Sequence, residues 1–402
     1  MSREEDQMLW RQQAVETVTE LRRSALASQP PESVPLDQVG SRTLADSIVA
    51  SEAIPAVDRA TMDGYAFDAS AEYPLSVCER QVFPEDEAPS LEPGSAVEIA
   101  TGAPVPPEAN AVLKREAATV TDGELMGPDI DSGTHTYERG SNVRTGERLF
   151  EAGEVLAAKD AILLEDLGYD DVPVTERFST GILATGTEIH EGRDSDLDSS
   201  MLASLVRSWG HRPTYEGTVP DDYEQVRDRI ADLTDTHDVV VTTGGTSVGE
   251  KDYVVRALED LGDVEFHRVR IRPGKPVAVA DLGGAVAFAI PGKPLGAYVI
   301  SLLVMGPFFT GRGDLPTHDA TLTHDVDLGP EGFEYVVPVV LDGETTVPLG
   351  HSESQLDVYG ETFDPSVLSS TTRATRADGF VLTQSALTAD ETVPVVRWTT
   401  LE

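Results

Sequence analysis

The chain has 402 residues, and its 71 acidic side chains against 30 Lys and Arg give a formal net charge of −41. A surface this negative repels nucleic acid and anionic membranes, so we expect neither as a partner. The same charge destabilises a compact fold at low salt, which predicts a halophilic acidic surface from a host with a salty cytoplasm. The length predicts three or four domains.

Two further features predict a cytoplasmic protein. Cys78 is the only cysteine, so no internal disulfide can form. The first residues are polar and acidic and lack the apolar segment of a secretory signal. The longest apolar run, residues 297–309, is too short to span a membrane and predicts a buried helix.

Helical periodicity dominates the first 50 residues. Apolar side chains recur at helical spacing over residues 4–28, and Pro30 stops the pattern, which predicts an amphipathic helix packed on a distant part of the chain. A second helical stretch is predicted within residues 35–51. A third helix is predicted over residues 156–168, with its last glycine as the C-terminal cap.

Residues 51–150 and 314–402 are predicted to be rich in β-strands, because short alternating runs are separated by turn residues. In the first region, residues 121–133 are predicted to form a polar loop, and the second region is predicted to form a barrel. Between them, residues 178–313 alternate strands and helices. The continuous apolar strand at 239–241 is typical of a strand buried on both faces, and this region is predicted to be a doubly wound α/β domain.

The predicted fold is a multidomain α/β plus β protein with a doubly wound α/β domain, a β-rich lid domain, a small linking domain and a C-terminal β-barrel-like domain. Its predicted boundaries are residues 1–30 for an N-terminal helix on the α/β domain, 31–50 with 151–177 for the linking domain, 51–150 for the β-rich domain, 178–313 for the α/β domain and 314–402 for the C-terminal domain.

A glycine-rich loop follows the buried strand that ends at Thr242. Ligands of open α/β sheets bind beyond the carboxyl ends of the strands, where backbone N–H groups of a glycine-rich turn attract negative oxygens. The alternative is a tight connection between a strand and a helix. We favour phosphate binding. The candidate binding residues are Thr243, Gly244, Gly245, Thr246, Ser247, Gly249, Glu250 and Asp252.

Two Pro-Gly-Lys-Pro turns follow in the same region. Proline on both sides restricts the backbone, so each lysine is held in one place. An arginine and two lysines together suit a phosphate or another oxyanion. The alternative is a pair of hairpin turns with solvated lysines. The candidate residues are Arg272, Pro273, Gly274 and Lys275 in the first turn and Pro291, Gly292 and Lys293 in the second.

Another strand predicted to end at the same sheet edge contributes Thr185 and Gly186 as candidate binding residues. Glu188 follows them and could bind a divalent cation or a ligand hydroxyl, and the alternative is an acid favoured by the helix dipole. Asp198 is interpreted as a helix N-cap with ligand binding as a possible second role. Ser199, beside it, is a further candidate binding residue.

Six motifs stand in one order along the chain: Thr61-Met-Asp-Gly-Tyr-Ala, Thr101-Gly-Ala-Pro-Val-Pro, Gly140-Ser-Asn-Val-Arg, Thr243-Gly-Gly-Thr-Ser-Val-Gly-Glu, Arg272-Pro-Gly-Lys-Pro and Pro291-Gly-Lys-Pro. As a set they resemble the molybdopterin molybdenumtransferases, the MoeA-type family related to the catalytic domain of gephyrin. The resemblance covers most of the chain and is specific.

The resemblance implies an enzyme of molybdenum cofactor assembly that takes adenylylated molybdopterin and molybdate, or tungstate, and releases AMP with Mg²⁺. It implies an elongated homodimer whose active site lies between the α/β domain of one subunit and the β-rich domain of the other, and contact with molybdopterin adenylyltransferase. Asp63 would cross that interface to bind metal or to orient the attacking oxygen. Lys275, Lys293 and Arg272 would act on the oxyanion or pyrophosphate.

The sequence departs from the family pattern at five positions. Thr187 replaces an Asp, Arg148 replaces an Asp, and Ser200 replaces an Asn. In the last loop Lys293 replaces an Asn and Gly296 a Ser. One alternative is a molybdopterin-binding carrier, in which Thr187 and Arg148 would mark lost catalysis. Another is a related enzyme that adenylylates or hydrolyses a pterin or nucleotide phosphate.

Overall fold

The computed structural model describes residues 8–244, 253–352, 354–360 and 362–402. The described residues form two units. The larger unit comprises the described residues of Met1–Ala45, Gly153–Ala158 and Pro173–Glu402. The smaller unit comprises Asp46–Ala152 and Lys159–Val172.

Helix α1 spans Arg11–Ser28 and buries Ala14, Val18 and Leu21 on one side, as its periodicity predicts. It begins later than predicted, because the Gln13 side chain accepts a hydrogen bond from the Trp10 N–H at 3.0 Å and caps the helix there. Strand β1 (Pro31–Pro35) follows it.

The helix predicted within residues 35–51 is wrong. Only Leu36–Gln38 form a 3₁₀ turn, and a turn, two isolated β-bridges and a bend follow before strand β2 (Ile48–Val49). The N–H of Leu44 donates to the carbonyl of Glu154 at 2.9 Å, so pairing with a segment distant in sequence replaces the helical hydrogen bonds.

The smaller unit is built on a six-stranded sheet in the order β7-β4-β6-β5-β9-β8. Its strands after β2 are β3 (Arg59–Ala60), β4 (Gly64–Phe67), β5 (Leu75–Val82), β6 (Ser95–Ile99), β7 (Ala111–Lys114), β8 (Thr119–Thr121), β9 (Glu124–Met126), β10 (Thr136–Tyr137) and β11 (Arg148–Phe150). The polar loop predicted at 121–133 contains the β8–β9 hairpin. Asp122 and Gly123 both have positive φ (51° and 83°), the turn that an Asp-Gly pair favours.

Helix α2 (Asp160–Asp166) is shorter than predicted, and Gly168 follows it with a φ of +85°, as expected for a C-terminal glycine. Strand β12 (Asp171–Thr175) comes next.

The α/β part of the larger unit has a six-stranded sheet in the order β14-β13-β15-β19-β18-β16, which confirms the doubly wound domain. Its strands, and the short β17, are β13 (Ser179–Thr185), β14 (Arg212–Val219), β15 (Val239–Thr243), β16 (Asp263–His267), β17 (Ile271–Arg272), β18 (Ala278–Asp281) and β19 (Val286–Ile290). Strands β14, β13, β15 and β19 are parallel, and β18 and β16 continue the sheet antiparallel.

Helices cover both faces of this sheet. They are α3 (Thr187–His190), α4 (Ser199–Ser208), α5 (Tyr223–Thr234), α6 (Tyr253–Leu261), α7 (Pro294–Ile300) and α8 (Gly306–Thr310). One core joins α1, α4, α7 and α8 to the sheet, and a second core joins α5 and α6 to its other face. Buried apolar side chains on both faces explain why the strands are nearly continuous runs of apolar residues.

Helices α7 and α8 are joined by the π-helical turn Ser301–Met305 and so extend the predicted helix to Thr310. Pro307 has no N–H to donate to the preceding turn, and the Gly306 N–H bonds to the carbonyl of Ser301, five residues back. Among the residues described, no helix combines the length and apolar character needed to cross a membrane.

The C-terminal part of the larger unit is a closed five-stranded barrel, as predicted. Its elements are β20 (Thr317–Leu322), β21 (Glu334–Asp342), β22 (Thr345–Pro348), helix α9 (Pro365–Leu368), β23 (Gly379–Thr383) and β24 (Thr392–Arg397). The pairing β21-β22-β20-β24-β23 closes because β23 also pairs with β21. Strand β17 adds to β21 in parallel, with Ile271 opposite Glu334, and so ties the first Pro-Gly-Lys-Pro turn to the barrel.

His211 is a buried histidine in the larger core. Its Nδ1 accepts a hydrogen bond from the Phe178 N–H at 3.1 Å, and its Nε2 lies 3.1 Å from the Phe309 carbonyl oxygen, so the neutral ring satisfies both partners. Burial, with a smaller contribution from nearby arginines, lowers the pKa of His211 from 6.5 to about 4. Between about pH 4 and pH 6.5, the ring is therefore mostly neutral in the folded protein and mostly protonated in the unfolded chain.

Acid is expected to destabilise the protein through His211. The stabilisation is complete above pH 6.5 and is lost as pH falls toward 4, a loss of about 3 kcal/mol. Urea unfolding at constant KCl, at about pH 7.5 and about pH 4.5, measures it. His211→Gln should lose much less, because the amide can keep both hydrogen bonds. The exposed His190→Gln is the control, and equal losses in His211→Gln and wild type would contradict the prediction.

Candidate functional site

The carboxyl ends of the four parallel strands lie together at one edge of the α/β sheet. Thr185 of β13 is in register with Val219 of β14, and Thr243 of β15 with Ile290 of β19. Strand β13 is followed in sequence by β14 on one side and then by β15 on the other, so the strand order reverses here. Such a reversal opens a crevice, which is where ligands of this sheet type bind.

A cleft of about 630 Å³ occupies this edge, and all its lining residues belong to the larger unit. We call it the sheet-edge cleft. From the sequence-predicted site it contains Thr185, Gly186, Glu188, Thr243, Gly244, Arg272, Pro273, Gly274, Lys275, Pro291, Gly292 and Lys293. The structure thus brings together four segments that are separate along the chain.

Three cationic side chains of the sheet-edge cleft come from the two Pro-Gly-Lys-Pro turns. The Arg272 guanidinium carbon lies 4.1 Å from the ring centroid of the buried Phe333, and Lys275 Nζ lies 5.9 Å from the same centroid. Lys293 Nζ donates to the carbonyl of Ser366 at 3.1 Å, which leaves two of its three N–H donors for other partners. Arg272 and Lys275 thus share one aromatic ring, and all three cations line a cleft suitable for an oxyanion.

Glycine is required where the cleft backbone is tightest. Gly244 has a φ of +87°, and a Cβ there would stand 2.5 Å from the Thr185 carbonyl oxygen. Gly274 has a φ of +114°, and its Cβ would stand 2.5 Å from Cγ1 of Ile300. Both glycines therefore allow a close approach that no other residue permits.

Asp198 does not cap helix α4 with its side chain, contrary to the sequence interpretation. Instead, Asp196 Oδ1 accepts from the N–H groups of Asp198 (3.2 Å) and Ser199 (3.0 Å). Asp198 is 5% exposed, and its Oδ2 accepts a hydrogen bond from Thr243 Oγ1 at 3.0 Å. Burial raises the pKa of Asp198; the Thr243 bond opposes this rise and the charge of Asp196 adds to it. The Thr243 hydroxyl is thus committed to Asp198.

The cleft is also lined by three carboxylates that the sequence did not indicate, namely Asp194, Asp196 and Asp221. Asp221 follows strand β14, so the rule that ligands gather at carboxyl ends of strands could have found it. Its N–H donates to Thr187 Oγ1 at 3.0 Å, and its Oδ2 accepts from the Thr187 N–H at 3.2 Å. A carboxylate is therefore present beside Thr187 even though residue 187 is not acidic.

Glu188 is a predicted metal ligand. Glu188 is exposed at the cleft rim. No group of three His, Cys, Asp or Glu side chains placed to hold a metal ion occurs in the part of the chain that the structure describes.

Asp63 lies in the smaller unit, where Thr101 holds it. Asp63 Oδ1 accepts from the Thr101 N–H and from Thr101 Oγ1, each at 2.7 Å. These two bonds, with the charge of Arg115, lower the pKa of Asp63 and keep it an exposed carboxylate. Arg148, also in this unit, is exposed and pairs with Glu151 at 3.3 Å.

The remaining predicted residues divide into two groups. Ser199 is buried at the start of α4, Ser200 beside it is exposed, and Gly296 lines the cleft. The candidates outside the described residues are Gly245, Thr246, Ser247, Gly249, Glu250 and Asp252. The barrel contributes Pro365, Ser366 and Ser369 to the cleft, which no local signal in the sequence indicated.

Comparison with known proteins covers both units. A family model described as the MoeA N-terminal region (domain I and II) matches residues 11–168, and one described as a probable molybdopterin binding domain matches residues 181–310. The chain is 30% identical over 287 residues to the molybdopterin molybdenumtransferase of Haemophilus influenzae, covering 68% of this chain and 70% of that protein. It is 32% identical over 290 residues to the Bacillus subtilis molybdopterin molybdenumtransferase, covering 66% and 67%.

A solved structure extends the similarity to nearly the whole chain. The crystal structure of a molybdopterin biosynthesis MoeA protein from Pyrococcus horikosii superposes with a TM-score of 0.72 at 28% identity, covering 96% of this chain and 98% of that one.

Proposed function

Because this chain belongs to the molybdopterin molybdenumtransferase family, a family of transferases in molybdenum cofactor biosynthesis, we propose that it inserts molybdenum or tungsten into adenylylated molybdopterin and releases AMP. The observation that carries the proposal is the convergence of Arg272, Lys275 and Lys293 on the sheet-edge cleft. Both the oxyanion and the pyrophosphate of this substrate are negatively charged, and a chain of net charge −41 attracts them only where its cations are gathered.

The cleft residues would act mainly by electrostatics. Breaking the pyrophosphate bond joins an oxygen of water or of the metal oxyanion to one phosphorus and leaves AMP as the departing group. Arg272 and Lys275 would bind the charge that develops on these oxygens. Lys293, which keeps two N–H donors beside its bond to Ser366, would orient the phosphates.

Mg²⁺ belongs to this proposal as the ion that neutralises the pyrophosphate. It binds proteins through one or two carboxylates together with substrate phosphates, so it needs no cluster of three side chains. Glu188 and Asp221, both lining the cleft, fit that donor set.

The homodimer also belongs to the proposal. Asp63, an exposed carboxylate held by two hydrogen bonds from Thr101, would reach the cleft of the second copy. Contact with molybdopterin adenylyltransferase would deliver the substrate, and the cytoplasm would be the compartment of both proteins.

AMP release tests the function. The purified protein, kept in high KCl, receives adenylylated molybdopterin, Mg²⁺ and either molybdate or tungstate, and AMP is measured by chromatography. Release that depends on the oxyanion is expected. If no AMP is released with either oxyanion, the proposed turnover is wrong. Tight binding of adenylylated molybdopterin without AMP release would then indicate a carrier. The oxyanion that gives the higher rate identifies the metal.

Salt is expected to stabilise the fold. The charge of −41 is spread along the chain, so self-repulsion is screened as the Debye length shortens. Raising KCl from about 0.2 M to about 2 M should raise Tm by about 10 °C or more. Sucrose, which favours compact states without screening charge, is the control. A Tm that responds to sucrose but not to KCl would contradict a halophilic surface.

A further inference from the structure

Asp198 has a buried oxygen that the described chain does not satisfy. Its Oδ2 accepts from Thr243 Oγ1 at 3.0 Å, whereas Oδ1 is buried and accepts no hydrogen bond from any described residue. The side chain is 5% exposed and lines the sheet-edge cleft. A buried carboxyl oxygen without a donor costs about 1–3 kcal/mol or more, so a bound ligand that supplies a donor would recover this energy.

The chemistry of Asp198 differs from that of the cations in the same cleft. An oxyanion such as molybdate has no hydrogen to donate to a carboxylate and is repelled by its charge. Asp198 and the neighbouring Asp196 therefore disfavour the oxyanion, while Arg272, Lys275 and Lys293 attract it. A ligand that satisfies all of them carries negative oxygens on one part and N–H donors on another.

We propose that Asp198 recognises the N–H edge of the pterin ring, its Oδ1 accepting a hydrogen bond from the 2-amino group or from N3–H. A pterin presents these two donors side by side on its pyrimidine half, and Oδ2 keeps a lone pair for the second donor after bonding to Thr243. Asp198 is thus a specificity-determining residue that rests on the proposed function and assigns the heterocycle, rather than the phosphate, to this part of the cleft.

The hydrogen-bond network on helix α4 supports the assignment. Asp196 caps the helix through the N–H groups of Asp198 and Ser199, so the Asp198 side chain is free of the capping role its position would suggest. Thr243, at the end of β15, fixes the orientation of the carboxyl group. The carboxylate is therefore pre-organised, which lowers the cost of binding a donor.

The experiment compares two probes that each report on one part of the cleft. Free pterin tests the N–H edge by fluorescence titration, and tungstate tests the cations by calorimetry. Asp198→Ala should weaken pterin binding by about 10-fold to 100-fold, the value of a hydrogen bond to a charged group. Tungstate affinity should stay within about threefold or increase, because a negative charge is removed. Retained tungstate binding also shows that the variant is folded.

A matched control and a second ligand sharpen the test. Asp232→Ala removes an exposed acid from helix α5 and should change neither affinity. Lumazine has an oxygen in place of the 2-amino group, so it should bind wild type more weakly than pterin does, and this difference should shrink in Asp198→Ala.

Three results would overturn the proposal. They are the absence of pterin binding to wild type, an unchanged pterin affinity in Asp198→Ala, and an equal loss of pterin and tungstate, which would mean that Asp198 only supports the structure. AMP release by wild type is scored separately. If wild type releases AMP but Asp198→Ala leaves the pterin affinity unchanged, this inference alone is refuted. If wild type releases no AMP but Asp198→Ala weakens pterin binding, the proposed turnover alone is refuted.

Discussion

Lys275→Met is expected to lower kcat/KM for AMP release by about 100-fold to 1000-fold, the usual cost of removing a pre-organised charge from a transition state. Methionine keeps the length and most of the volume of the lysine, so packing on Phe333 survives while the charge is lost. The rate with saturating oxyanion should fall together with kcat/KM, since the charge acts on the departing phosphate oxygens. Initial rates of AMP formation measure both quantities.

The control for Lys275→Met is Lys159→Met. Lys159 is exposed and pairs with Asp160 at 2.9 Å, in the smaller unit, so its loss should change the rate by less than about twofold. Lys275→Arg should recover part of the activity, because charge returns without the same geometry. A Lys275→Met enzyme that keeps the wild-type rate would remove Lys275 from the chemistry and leave it a structural cation over Phe333.

The position of the candidate site at one edge of the sheet was predictable, because it follows from the parallel arrangement of the strands. The apolar strand at 239–241, the strand ending at Thr185 and the strand ending at Ile290 all lie parallel, so their following residues must gather at one edge. The two Pro-Gly-Lys-Pro turns were predictable for a similar reason, since proline and glycine determine local backbone whatever surrounds them.

Other features depend on contacts between distant segments, which a local pattern does not contain. The predicted helix within residues 35–51 does not form, because its backbone N–H groups donate instead to Glu154 and other residues more than 100 positions away. The barrel helix α9 reaches the cleft because Lys293 bonds to Ser366, 73 positions later. The side chain that caps α4 is Asp196 and not Asp198, two residues later. A sequence with two acids this close does not show which of them caps the helix. The sequence therefore indicated ligand binding by Asp198 only as a second role, and its buried Oδ1 without a donor is visible only in the structure.

Thr187→Asp is expected to strengthen Mg²⁺ binding by about tenfold and to raise the rate of AMP release if metal affinity limits turnover. The Thr187 hydroxyl oxygen accepts from the Asp221 N–H at 3.0 Å, and an aspartate oxygen can accept the same bond. Its second oxygen then lies beside the Asp221 carboxylate. Two adjacent carboxylates repel each other, and a divalent cation between them relieves that repulsion.

The neutral Thr187→Asn keeps the acceptor for Asp221 without adding charge, so it separates geometry from electrostatics. The Mg²⁺ concentration that gives half-maximal AMP release is one readout, and Mn²⁺ binding by electron paramagnetic resonance without substrate is another. If Asn and Asp variants behave alike, the added charge is irrelevant. If the Asp variant binds Mn²⁺ more tightly but turns over no faster, the threonine has not weakened catalysis through the metal, and Asp221 with the substrate phosphates already supplies what the ion needs.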